Sequence, residues 1–231
     1  MNTALTLNDA ESPEKFKEFY GPNNKQMPLL IREGRVLLTV AGLMQRRLEV
    51  LAEGIPEEVR IAWWTNYFFT GDLFAGHPDG RFKIVLDSPL IKYLDPETPI
   101  HEGSIKLGRN LQEANLAYEI LRGEKFSRDD LEELLNVNPS KKEAKANLIL
   151  QVLARDQRLL DSYVEAAFFQ ANQAGNYSQI MRLYLPNAPT IASVQLWNVD
   201  HLSNSSFSSG GHVLRNDGRL VGVLEKQYSR N

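Results

Sequence analysis

The chain has 231 residues, 42% of them hydrophobic and 24% charged, with a net charge of −3 and a pI near 5.9. That length buries a real core in one large domain or two small ones, and the acidic balance argues against wrapping duplex nucleic acid by bulk electrostatics. With no cysteine, disulfides, thiolate zinc sites and cysteine nucleophiles are excluded, which fits a reducing compartment.

The first residues lack the basic-then-apolar pattern of a signal peptide. No apolar run approaches the roughly 18–20 residues of a membrane span. The default expectation is therefore a soluble, cytoplasmic protein with no membrane partner.

Residues 1–27 read as a polar N-terminal arm, loosely attached, with weak helical character at Pro13–Tyr20. Pro28–Ile31 and Val36–Leu38 read as short strands around Glu33-Gly34. Thr39 is placed to cap a helix over Val40–Ala52 that Gly54 ends. A second helix starts at Pro56, carries Glu57 and Glu58 in its first turn, and runs to about Phe68. Gly71–Gly76 and Arg81–Asp87 predict a hairpin around His77-Pro78-Asp79-Gly80.

Ser88–Leu94 has the pattern of a short helix. Helices are expected near Asn110–Arg122 and Arg128–Asn136, the latter capped by Ser127 with Asp130 three residues on. From Ser140 to about Gln173 the pattern predicts one long helix, or two in line, with Gly175 just beyond. Gln179–Leu185, Ile191–Val199 and a final hairpin, His212–Arg215 and Arg219–Glu225 around Asn216-Asp217-Gly218, read as strands. Ser203–Gly211 is a serine- and glycine-rich loop.

Strands and helices mingle without regular βαβ alternation, which predicts an α+β fold of mostly antiparallel short strands and hairpins packed with several helices, the long one at about 141–173. Residues 28–231 form the expected single domain, within which 176–231 is a candidate β-rich subdomain. The shared Glu/Asp-Gly-Arg turns at Glu33, Asp79 and Asp217 reflect turn chemistry, not a repeat. No dinucleotide, phosphate-loop, zincin, serine-elbow or calcium-loop motif is present.

The richest stretch is 63–79, where six of the 21 aromatics lie between Trp63 and Phe74 with Asn66, Asp72, His77 and Asp79 among or after them. Aromatic faces beside convergent polar groups make ligand pockets; they also make cores. Trp63, Trp64, Asn66 and Tyr67 are the candidate binding residues. Turn chemistry accounts for Asp79 and capping of the short helix for Asp87, leaving Asp72 and His77 without a structural role.

On a continuous helix over 148–171, Asp156 projects from the apolar stripe and needs a cation or several donors. A helix break near Ala154 instead turns it outward as a cap. His101, His201, His212 and the loop serines carry no complete constellation. Lys141, Lys142 and Lys145 sit at the positive end of the long helix, where cations are disfavoured.

The leading expectation is a non-enzymatic binding or interaction protein using an aromatic anchor or pocket around 63–77. Its partner is a protein or a small ligand, with a homo-oligomer also open. The rival is a hydrolase of unfamiliar type in which Asp72, His77 and Asp156 converge. The third, disfavoured reading is nucleic-acid association through Lys141–Lys145. No cofactor or metal site is expected.

Overall fold

The computed structural model describes residues 5–88, 90, 97–98, 100–101, 104–127, 129–130, 138–175, 180–200, 207–208 and 217–224. The fold is mixed α+β. Its strands are β1 (Phe16–Pro22), β2 (Arg35–Leu37), β3 (Phe68–Gly76), β4 (Phe82–Val85), β5 (Ile100–His101), β6 (Ser104–Lys106), β7 (Glu124–Phe126), β8 (Leu183–Tyr184), β9 (Ser193–Val199), β10 (Phe207–Ser208) and β11 (Asp217–Leu224). They join in one mixed sheet with the path β1-β11-β3-β9-β10-β8; β2 lies on β11, β4 bridges β3 and β7, and β6 bridges β5 and β9. The β11–β3 and β10–β8 pairs are parallel, and the other described pairs are antiparallel.

β3 is the centre of the molecule, and all nine of its residues are buried. Alternation along the strand divides them between two cores. Phe68 and Phe74 join the larger core, while Phe69, Leu73 and Ala75 face the smaller one. The larger core is covered by α3 (Val40–Glu49), α4 (Glu57–Thr65) and a helical array comprising α6 (Lys141–Ala146), α7 (Leu148–Ala154) and α8 (Gln157–Gln173). The smaller is covered by α2 (Asn23–Arg32) and α5 (Leu111–Ile120).

Local signals place several of these elements. The Thr39 hydroxyl accepts from the Gly42 amide at 3.1 Å, and Asn110 and Ser140 cap α5 and α6 with their side chains. Gly80, at φ 91°, closes the expected turn with a bond to the His77 carbonyl. Ser127 and Asp130 exchange reciprocal hydrogen bonds, although most of the helix expected after them lies outside the described residues. The same holds for most of Ser88–Leu94 and for His212–Arg215.

Four expectations are corrected. The 141–173 pattern is three helices: Asn147 ends α6 and caps α7, and Arg155 takes a left-handed φ of 64° before Asp156 caps α8. The apolar stripe survives both breaks because α7 and α8 bury Ile149, Leu153, Leu160 and Val164 in one core; periodicity registers burial, not continuity. Pro28–Ile31 belongs to α2, whose buried Asn23, Asn24, Met27 and Leu30 follow helical spacing.

Residues 5–22, expected as a loose arm, form the short helix α1 (Leu7–Ala10) and β1, which pairs with β11 over seven residues. The expected turn at Asp217-Gly218 instead starts β11, opposite Pro22 and Gly21. A Cβ on Gly218 would fall 2.1 Å from Asn23 Oδ1, so this glycine gives room for α2 rather than turning the chain.

Candidate functional site

The aromatic stretch is where α4 hands over to β3. Trp63 and Trp64 are buried, and each indole N–H has a partner: Trp63 donates to the Glu11 carboxylate at 2.7 Å and Trp64 to the Arg47 carbonyl at 3.0 Å. Trp64 stacks on Tyr163 of α8 with centroids 5.7 Å apart. Asn66 donates to the Leu5 and Ala62 carbonyls, which fixes the end of α4. Half-buried Tyr67 packs edge-on against Phe69.

Arg47 organises this region. Fully buried, it donates from Nε to Trp63 O, from Nη1 to the Tyr163 hydroxyl, and from Nη2 to Asn66 O and Asp200 O, all at 2.8–2.9 Å. Its guanidinium also lies 5.4 Å from the Trp64 ring. The cation is solvated by carbonyl dipoles, a phenol and a π face. One sequence signal could have found it: Val40, Leu43, Met44 and Arg47 fall on one helical stripe.

Asp72 is fully buried and serves as a structural knot. Between Phe69 and Leu73 the β3–β9 register shifts, so three residues of β3 stand against Trp197 alone. That bulge turns Asp72 toward the start of α3, where its carboxylate accepts from the Val40 amide at 2.8 Å. It also accepts from the Asp87 amide at 3.2 Å and from Arg155 at 2.7 Å. Burial pushes its carboxyl above the ordinary value, with Arg155 and the two backbone donors opposing. Arg155 further holds the Asp87 carboxylate at 2.5 and 3.1 Å.

The other candidates have separate local roles. His77 Nδ1 lies 2.7 Å from the Asp79 carboxylate in the turn, and its ring packs on Tyr118. It stands five residues beyond Asp72, about 16 Å along an extended strand, so the two do not share a proton-transfer site. Asp156 is exposed and accepts from the Leu159 amide at 2.8 Å as the cap of α8. Lys141 and Lys145 both reach Glu165 of α8, at 2.5 and 2.7 Å. Buried Lys83, which sequence reasoning passed over, donates to the Tyr118, Glu119 and Leu121 carbonyls at the end of α5. No group of metal-ligating side chains occurs among the described residues, and no helix among them is long and apolar enough to cross a membrane.

One face of the aromatic segment does meet an opening. A groove of about 520 Å³ runs between α4 and α8, with Trp64 as its floor and Ile61 and Phe169 on its walls. Ile61 is 39% exposed and Phe169 57%. Thr65, Gln170 and Gln173 supply polar groups, and Glu57 pairs with Arg60 at one end.

No protein-family model matches the sequence, and no curated protein matches it. The chain is similar to a solved structure described as the accommodation of massive sequence variation in Nanoarchaeota by the C-type lectin fold. The TM-score is 0.65 at 14% identity, with 92% of this chain and 99% of that one covered. The likeness is one of fold.

Proposed function

We propose that the chain is a non-enzymatic binding protein and that the groove between α4 and α8 is its contact surface for a protein partner or a small ligand. The observation that carries this reading is Trp64. It belongs to the 63–67 aromatic stretch and, though itself buried, borders this groove, where exposed Ile61 and Phe169 stand beside it. The groove's volume falls within the roughly 300–1,000 Å³ of ligand sites, and an apolar floor with a few polar groups on the rim is the usual composition of such sites.

The fold likeness supports the same reading: the similar structure's C-type lectin fold accommodates massive sequence variation, as a recognition scaffold with a constant framework would. The hydrolase alternative lacks comparable support. Asp72, His77 and Asp156 are occupied by α3 and Arg155, by a turn and by a helix cap respectively.

Amide-shift mapping of a fragment library on the isotope-labelled chain tests this. Hits are expected to cluster at Ile61, Thr65, Phe169 and Gln173, and to lose at least ten-fold in affinity in Phe169→Asp. Hits that cluster on another surface, leaving this groove silent, would overturn the assignment.

A further inference from the structure

A second groove, of about 470 Å³, lies on another side of the molecule between the end of β4, strand β7 and helix α7. Its wall is apolar: Leu86, Phe126, Val152 and Leu148, the last 53% exposed. Its polar end has a different character. Glu124 and Arg155 line it, and the Arg155 guanidinium is already shared by Asp72 and Asp87. Two carboxylates therefore meet one guanidinium, a third, that of Glu124, lines the same groove, and the Asp87 side chain is 58% exposed. The two residues that pin this corner, Asp87 at φ 48° and Arg155 at φ 64°, both take backbone conformations that side chains rarely adopt. Strained positions of that kind concentrate at functional surfaces.

We propose that this groove is a separate docking surface for a partner-protein segment that presents a leucine-like side chain next to a lysine or arginine. The apolar wall takes the aliphatic side chain out of water. The net negative end, with exposed Asp87 and Glu124, complements the neighbouring cation and repels an anionic segment. Arg155 is the organiser of the acidic end and not an anion receptor, because its donors are directed at Asp72 and Asp87. This surface shares no residue with the α4–α8 groove, so the two assignments stand or fall separately.

The probe is a blocked hexapeptide of alternating leucine and lysine, titrated into the isotope-labelled full chain with amide shifts as the readout. Saturable shifts are expected at Leu86, Phe126, Leu148 and Val152. Affinity should fall at least five-fold in Glu124→Gln and, independently, in Leu148→Ser; both side chains are exposed, so the fold is retained. Three controls decide the occupant. Equal binding by a leucine–glutamate peptide overturns the electrostatic half of the proposal, and equal binding by a serine–lysine peptide overturns the apolar half. n-Hexylammonium binding as tightly as the peptide would assign the groove to a small amine instead. Absence of shifts in the groove, or shifts insensitive to both substitutions, would overturn the docking surface altogether.

Discussion

A buried arginine is an expensive object unless its donors are met, and Arg47, which pairs with no carboxylate among the described residues, places four of its five N–H groups on partners through geometry a lysine cannot copy. Its planar fork reaches Trp63 O, Asn66 O, Asp200 O and the Tyr163 hydroxyl from three nitrogens pointing in different directions. An ammonium at the end of a flexible stem would satisfy part of that set and leave the remaining buried carbonyls unpaired. Arg47→Lys should therefore cost about 3 kcal/mol of stability despite conserving charge. Urea unfolding checks it: the midpoint should drop with the slope unchanged. A wild-type midpoint would show that the carbonyl cluster is satisfied without the fork. The same residue marks a limit of reading the chain. Spacing puts Arg47 on the core face of α3, but its partners come from α4, α8 and the end of β9, which no local pattern brings together.

Among the elements, chemistry between sequence neighbours was legible and chemistry across the fold was not. Thr39, Ser127 and the Asp79-Gly80 turn act within a few residues of themselves, and each forms the contact its spacing implies. The break at Asn147 is also local, since its side chain caps α7 at the Ile149 and Leu150 amides, whereas the left-handed turn at Arg155 is held by Asp72 and Asp87 from distant parts of the chain. Lys141 and Lys145 show the same division. Against the α6 dipole they look misplaced, yet Glu165 of α8 lies within reach of both. Their hydrogen bonds and charges hold the Glu165 carboxyl down at about 2, against an ordinary value of 4.5. A depressed folded-state value means that this docking contribution is present above pH 4.5 and is lost as pH falls from there toward 2. Carboxyl-carbon titration by NMR should give Glu165 a midpoint near 2, returning toward 4.5 when both lysines are changed to alanine. A midpoint already near 4.5 in the unmodified chain would mean that α6 is not tethered to α8 by this bridge.

For the molecule as a whole, the consequential feature is that its earliest and latest described strands are neighbours. β1 and β11 pair from Phe16↔Val223 to Pro22↔Asp217, and Glu18 is buried against Arg219 and the Leu7 amide. A segment that looks polar in sequence thereby supplies Leu7 and Phe16 to the larger core and Phe19 to the smaller. Composition could not reveal this, since three anchoring side chains in twenty residues leave the average polar. Burying those three stabilises by roughly 6 kcal/mol at 1.5–3 kcal/mol each. That is comparable with the whole net stability of an ordinary domain, about 5–15 kcal/mol. Deleting residues 1–22 would also leave one edge of β11 without its seven-residue partner, next to a core face newly open to water. The shortened chain should lose the sharp thermal transition of the full chain in calorimetry and expose apolar surface to a hydrophobic dye. The arm reading makes the opposite prediction, an unchanged transition, because a loosely attached segment contributes no cooperative contacts. Calorimetry of the two chains decides whether the N-terminal strand is part of the framework that positions both grooves.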